Sequence, residues 1–445
     1  MRKRLTVFLM MILAAQAVKA QVDMHCHMIP ASYLEAVKAH GMEMDEGFPI
    51  PSWDAAAHLA FMDEAGIRTS VLTMPAPQPY FGDAAESAAV CRTFNEEAAA
   101  LKALYPGRFR FCAALPLPNV GKALEEARYA LEVLGADGVK LATNSYGQYL
   151  GDEALDPLMA YLNERKAIII THPHKPSAVN DRLVAAVPLA LYEYLAETTR
   201  AILNMVSRNV LVRYPEVKVV VPHCGSFLPN ALPRFKGLLP VMVKQGYMED
   251  VDVAANLSRL YYDLAGAATD EAIASLLTIA EPSHILYGSD YPYVAAPALV
   301  GAKKALEARL AAHGLAPQDV FSDNAARLFG ADMPLREYGE RMVRLAQIEV
   351  HPDMLEAYMA CAKEVGTVSM ATEPGVIGLF SMQDKADPCH IYILEVYADE
   401  AAYQQHLQTA HFKKYKEGTA RMVKSLRLID THPLVMATLS KTAIR

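Results

Sequence analysis

The sequence predicts an α/β protein: a (β/α)8 barrel of the TIM type followed by a small ferredoxin-like α+β domain. Three observations predict it. Eight short apolar runs alternate with longer segments of helical period, polar residues gather at the C-terminal ends of several of those runs, and the pattern changes after Gly330-Ala331-Asp332-Met333-Pro334. Strand-sized runs alternating with amphipathic segments are the pattern of a parallel sheet with crossover helices. An open doubly wound sheet would place its ligands at a single switch point. Polar residues at many strand ends fit a closed barrel instead.

The runs in order are Val22–His27, Thr69–Pro75, Phe109–Leu117, Gly138–Thr143, Ala167–Pro173, Lys218–Gly225, Leu260–Ala265 and Ile285–Pro292. Between them lie helical stretches such as Ser52–Gly66, Glu86–Tyr105, Lys122–Leu134, Glu153–Lys166 and Pro297–His313, several opened by Ser or Asp caps or by proline. The barrel is expected over residues 21–335. A second domain is expected over 341–437, reading strand (Met342–Val350), helix (Asp353–Thr372), strand (Val376–Met382), strand (His390–Tyr397), helix (Asp399–Val423) and strand (Ser425–Thr431).

Residues 1–20 read as a secretory signal: Arg2, Lys3 and Arg4, an apolar stretch from Leu5 to Ala15, then Val18-Lys19-Ala20. The expectation is an exported chain, periplasmic or secreted, with no stable membrane insertion after cleavage, the apolar segment being too short for a permanent anchor. Cleavage after Ala20 would leave only Gln21 and Val22 before the Asp23–His27 motif of strand one. A formal charge of −8 over 445 residues, with no basic stripe, argues against nucleic acid and for a small-molecule substrate. The 6 cysteines are irregularly spaced and read as buried thiols, Cys26, Cys91, Cys112 and Cys224 among them, and not as a disulfide framework.

The chemistry is carried by strand ends. In Asp23-Met24-His25-Cys26-His27, alternate side chains share a face, so Asp23, His25 and His27 point one way and Met24 and Cys26 the other. Three further runs close on ligand-type residues, in Thr171-His172-Pro173-His174, Pro222-His223-Cys224-Gly225 and Gly288-Ser289-Asp290-Tyr291-Pro292. Neutral imidazoles with a carboxylate suit Zn2+ or another divalent transition metal, and an open position leaves room for water or substrate.

These residues make residues 22–330 resemble the amidohydrolase-2 family, which includes aminocarboxymuconate semialdehyde decarboxylase and related aromatic-acid decarboxylases; Gly138-Val139-Lys140-Leu141 adds to the likeness. The resemblance implies one metal per chain held by His25, His27, His172 and Asp290, with His223 as the acid/base residue. It also implies an arginine that holds a substrate carboxylate, sometimes from across a dimer, and Arg234 in Leu232-Pro233-Arg234-Phe235 fits that place. Lys140 could bridge two metals if carboxylated, as in binuclear relatives; the mononuclear habit of the family favours a structural or substrate-facing lysine. Asn144, Tyr146 and Tyr149 follow strand four in a polar loop and could touch substrate, His174 reads as a loop histidine, and Trp53 as a packing residue.

Two reactions fit. In hydrolysis, His223 would help deprotonate a water and Asp290 would assist the leaving group. In decarboxylation, His223 would govern protonation at carbon while Arg234 pairs with the carboxylate. His223 and Arg234 lean toward decarboxylation, and export leans toward hydrolysis.

Residues 341–437 resemble the antibiotic biosynthesis monooxygenase-like family, through Glu373-Pro374-Gly375-Val376, Ile393-Leu394-Glu395-Val396-Tyr397, Asp399-Glu400-Ala401-Ala402-Tyr403, His406-Leu407 and His411-Phe412. The resemblance implies a homodimer through paired sheets. His406 and His411 read as surface or dimer-contact histidines on one amphipathic helix. A cofactor-free oxygenase run by this domain, or a non-catalytic exported binding protein, are the rival functions; the second should have lost a ligand-type strand end, and none is lost.

Overall fold

The computed structural model describes residues 21–42, 44–178, 188–266, 268–330, 342–373, 375–397 and 400–431. The expected signal, residues 1–20, and most of the expected linker lie outside them. The chain divides into two compact units, Met1–Pro334 and Leu335–Arg445.

In the first unit eight parallel strands follow one another in sheet order: β1 (Gln21–His27), β2 (Ile67–Thr73), β3 (Phe109–Ala114), β4 (Gly138–Ala142), β5 (Ile168–His172), β6 (Lys218–Val221), β7 (Leu260–Asp263) and β8 (Ile285–Leu286). The ring closes where Met24 N–H donates to the Tyr287 carbonyl (2.9 Å) and His27 N–H to that of Tyr291 (2.8 Å), with a parallel bridge between Cys26 and Tyr291. The eighth strand is shorter than its expected run, which continues past Leu286 into a non-strand segment where Asp290 sits at φ 65°.

The strands are buried and largely apolar because both faces are covered. Val139 and Leu141 on β4, Ile169 on β5, and Val219 and Val221 on β6 join the large apolar cluster that the helices share. The alternate positions, Lys140 among them, take the other face. The helices include α1 (Ala55–Ala65), α2 (Ala84–Leu104), α3 (Val120–Glu132), α4 (Asp156–Glu164), α5 (Glu193–Ser207), α6 (Leu228–Lys244), α7 (Asp270–Leu276) and α8 (Ala296–Ala312). Sequence chemistry sets their ends. The Asp54 side chain accepts from Ala57 N–H at the start of α1, and Asp83 and Asn119 do the same for α2 and α3.

The second unit is a four-stranded antiparallel sheet of β9 (Met342–Val350), β10 (Val376–Gln383), β11 (His390–Tyr397) and β12 (Val423–Thr431), ordered β10-β11-β9-β12. Its core gathers Ala346, Ile348, Val350, Tyr358 and Ile391 beneath α9 (Leu355–Thr372). The single helix expected over 399–423 is two helices, α10 (Glu400–Gln408) and α11 (Ala410–Thr419). Thr409 makes the break: its hydroxyl caps α11 by accepting from Phe412 N–H (3.3 Å) and also donates to the His406 carbonyl (2.8 Å).

Candidate metal centre

His25 and His27 end β1 two residues apart, so the pleat turns both imidazoles to one face, and His172 ends β5 across the barrel. Each of the three offers a ligand atom within 4.8 Å of the others, and all three are buried. The Asp290 carboxylate comes from the segment after β8 and lies 3.2 Å from His27 Nε2 and 3.7 Å from His25 Nε2.

Each imidazole is oriented from behind. His25 Nδ1 is 2.9 Å from Asp263 Oδ2, His27 Nδ1 is 3.1 Å from the Thr73 hydroxyl, and His172 Nδ1 is 2.9 Å from the Pro173 carbonyl. This leaves Nε2 of each ring to face inward, the tautomer a metal ligand needs. His25 Nε2 is buried with no hydrogen-bond partner. A buried polar atom left in this way, beside two further imidazoles and a carboxylate, fits a divalent transition metal with a nitrogen-rich, one-carboxylate donor set.

Electrostatics agree with the geometry. Burial lowers the His27 imidazole to about 4, and burial with neighbouring positive charge holds His172 well below its ordinary value, so both present free lone pairs at neutral pH. Burial also works against charging His25, but Asp263 foremost, then Asp290 and Asp23, lift it to about 9. Burial pushes the Asp290 carboxyl upward; the close contact with His27 Nε2 and the charge of His25 outweigh it and bring the group to about 2.

His223 follows β6 in a stretch of left-handed backbone, with φ of 57° at His223, 54° at Cys224 and 57° at Ser226. Such conformations cost of order 1–3 kcal/mol each in non-glycine residues and gather at functional sites. Its ring centroid is 5.1 Å from that of His25 and 6.2 Å from that of His172. Its Nδ1 has no hydrogen-bond partner, and burial lowers its basicity.

His172, His223 and Asp290 form part of the wall of a cavity of about 710 Å³, whose other walls include Phe48, Leu191, Tyr194, Phe227 and Tyr293. Mostly apolar walls around a few polar groups are the usual make-up of a small-molecule site. The remaining expected site residues lie elsewhere. Asn144 is buried away from the cavity wall, its amide donating to the carbonyls of His174 and Lys175 and to Glu197 (2.9 Å) while its oxygen accepts from Gly147 N–H. It holds a loop. Arg234 is exposed on α6, one turn past the lining residue Asn230, and is not part of the cavity wall of its own chain. Lys140 is buried on β4 and its charge depresses His27 and His172. His174 lies in the loop after β5, as expected, and is buried there, 3.3 Å from Glu46. Trp53 donates to His58 Nδ1 (3.0 Å).

Three residues that hold the site were not singled out by sequence reasoning. Asp263 ends the run Leu260-Tyr261-Tyr262-Asp263, the same apolar-run-then-ligand pattern that marked the other strands, and also accepts from His223 N–H (3.2 Å) and Ala265 N–H (3.0 Å). Thr73 ends β2 in register with His27. Ser289 binds Asp23 through its hydroxyl (2.5 Å) and backbone N–H (3.0 Å). Asp23 shares the face of His25 and His27, yet it ties β1 to the β8 segment, and burial raises its carboxyl to about 7.

A barrel with this constellation defines the class. Residues 22–331 match the family described as Amidohydrolase, and residues 341–418 match the one described as Antibiotic biosynthesis monooxygenase. The chain belongs to the amidohydrolase family and is an enzyme of its metal-dependent hydrolase and carboxy-lyase group. It is similar to the 6-methylsalicylic acid decarboxylase acuB of Aspergillus aculeatus, 33% identical over 321 residues that span 69% of this chain and 96% of that one. Among solved structures it is similar to a crystal structure of an amidohydrolase, with TM-score 0.65 and 32% identity over 70% of this chain and 99% of that one. It shares its fold with 5-carboxyvanillate decarboxylase from Novosphingobium aromaticivorans, solved with manganese and 4-hydroxy-3-methoxy-5-nitrobenzoic acid, at TM-score 0.62 and 20% identity over 70% of this chain and 96% of that one.

Proposed function

We propose that the barrel removes the carboxyl group of a small hydroxylated aromatic acid of the 6-methylsalicylate type without an oxidant. The observation that carries this is the placement of His172, His223 and Asp290 in the wall of an aromatic-sided cavity, next to His25 and His27, in a chain similar to nearly the whole of a 6-methylsalicylic acid decarboxylase. His25, His27, His172 and Asp290 would hold one divalent ion, zinc and manganese being the two candidates. When bound, the ion supplies Lewis-acid polarisation of the substrate's oxygens.

The chain's own residues do the rest. Tyr194, Phe227 and Tyr293 confine a flat ring and exclude water. His223, 5.1 Å from His25 between ring centroids and held by Asp263 through its backbone, handles the proton with Asp290. A proton forms the new C–H bond at the carbon bearing the carboxylate. The bond to that carboxylate then breaks, its electron pair restores the aromatic ring, and carbon dioxide leaves. Arg234 would meet a substrate carboxylate only from a second copy of the chain, so that role requires a homodimer in solution. Residues 1–20 would be removed on export, which N-terminal sequencing of the secreted chain checks.

The test is incubation of the metal-loaded protein with 6-methylsalicylic acid and a panel of hydroxybenzoates, following carbon dioxide and, for the first, 3-methylphenol. Release with equal amounts of both products supports the reading. A metal-loaded chain that hydrolyses lactones or esters but releases no carbon dioxide makes it a hydrolase instead.

A further inference from the structure

The second unit contains a group of metal-type donors that the barrel chemistry does not use. Glu373 closes α9, His406 is buried on α10 and His411 lies on α11. His406 Nδ1 is 2.9 and 3.1 Å from the two Glu373 oxygens, and His411 Nε2 is 2.6 Å from Glu373 Oε1. One ligand atom from each residue lies within 4.8 Å of the others. We propose that Glu373, His406 and His411 form a second divalent-metal site, separate from the barrel, that takes a first-row transition ion such as Zn2+.

The backbone argues for a built site. On one continuous helix, residues five apart point about 140° away from each other and cannot share a ligand. The Thr409 break, fixed at both ends by its hydroxyl, turns His411 back so that both imidazoles meet one carboxylate. A simple ion pair needs one imidazole; here two ring nitrogens reach the same Oε1 (2.9 and 2.6 Å), and an ion between the three donors replaces both hydrogen bonds. Two imidazoles and a carboxylate with further positions left to water are a donor set that zinc and iron(II) accept. The side-chain exposures grade from 4% at His406 to 11% at Glu373 and 22% at His411, so the group is enclosed on one side and reachable on the other. His406 also lines a cavity of about 380 Å³ with Glu395, Tyr397, Tyr403 and Phe412. An ion here would clip the ends of α9, α10 and α11 together at the wall of that cavity.

The test uses the full chain carrying His25→Ala and His27→Ala, stripped with chelator and titrated with Zn2+ by calorimetry, with Co2+ absorption as a second probe. We expect one ion per chain at roughly micromolar affinity or tighter, weakened on the order of a hundredfold or more by Glu373→Gln and by His411→Gln. His411 is partly exposed and glutamine keeps a polar group, so that variant is the one to trust if Glu373→Gln unfolds. In the otherwise native chain the same substitutions should reduce two bound ions to one, which covers the case where the barrel variant fails to fold. No binding to the barrel variant, or binding that neither substitution weakens, overturns the proposal and leaves the cluster a hydrogen-bonded clamp on the helices.

Discussion

Asp263→Asn changes one atom and should weaken metal binding at the barrel's candidate centre. Asp263 Oδ2 faces His25 Nδ1 at 2.9 Å, while Oδ1 accepts from His223 N–H (3.2 Å) and Ala265 N–H (3.0 Å). In the asparagine variant the single oxygen must stay with the two backbone donors, or both lose their partner in a fully buried place. The NH2 group then turns to His25 Nδ1, which must accept, and the ring proton moves to Nε2, the atom meant for the metal. Loss of such an orienting partner typically costs about 10–100-fold in metal affinity or activity, or about 1.4–2.7 kcal/mol. Because the two backbone bonds survive, thermal stability should fall less than in Asp263→Ala. Asp263→Ala, by contrast, leaves two backbone N–H groups and one imidazole unsatisfied, at roughly 1–3 kcal/mol of stability for each. Competition titration against a chromophoric chelator measures the affinity, and calorimetry the stability. Wild-type metal affinity in Asp263→Asn would refute the reasoning, since His25 would then not depend on Asp263 for its tautomer.

Three further outcomes follow from the same geometry. His223→Asn should cut carbon dioxide release on the order of 10²–10⁴-fold while metal content stays at the native level; a matching loss of metal would make His223 a ligand instead. In the metal-free chain His25 stands at about 9 against an ordinary 6.5, so its stabilising proton is fully held below about 6.5 and lost as pH rises through 9. Metal must displace that proton, so apparent affinity should rise about tenfold per pH unit toward pH 9, and a flat profile by calorimetry would contradict the assignment. Gly288→Ala would bring a Cβ within 2.6 Å of His25 Cβ and 3.1 Å of Ala265 Cβ. That overpacking should cost about 1–3 kcal/mol and lower metal occupancy, read from the unfolding midpoint and the metal-to-protein ratio.

Periodicity carried most of the fold. The eight apolar runs hold the eight barrel strands because a strand covered on both faces is predominantly apolar, and that shows in sequence. What periodicity could not show were the ends. Strand eight stops early at a backbone turn that the Gly-Ser-Asp run hides, and the helix expected over 399–423 is divided by one threonine whose hydroxyl competes for the backbone. That second miss matters most, since only the break brings His406 and His411 to a common carboxylate.

The site divides along the same line. The imidazoles were legible because histidine is uncommon and its strand-end placement is distinctive. Asp263, Thr73 and Ser289 were not, since each is a common residue whose meaning comes from which strand lies beside it: Thr73 orients His27 only because β1 and β2 pair with those two residues in register. Asn144 and Arg234 pose the opposite problem to a missed neighbour, since neither is part of the cavity wall of its own chain. Both are polar residues downstream of the right strands, yet Asn144 spends its amide on the loop carrying His174, and Arg234 faces solvent on an outer helix. The candidate ligand layer is therefore written in residue type and the layer behind it in register. A substitution in that second layer, with every histidine left in place, is the sharper test of whether the barrel works as a metal enzyme.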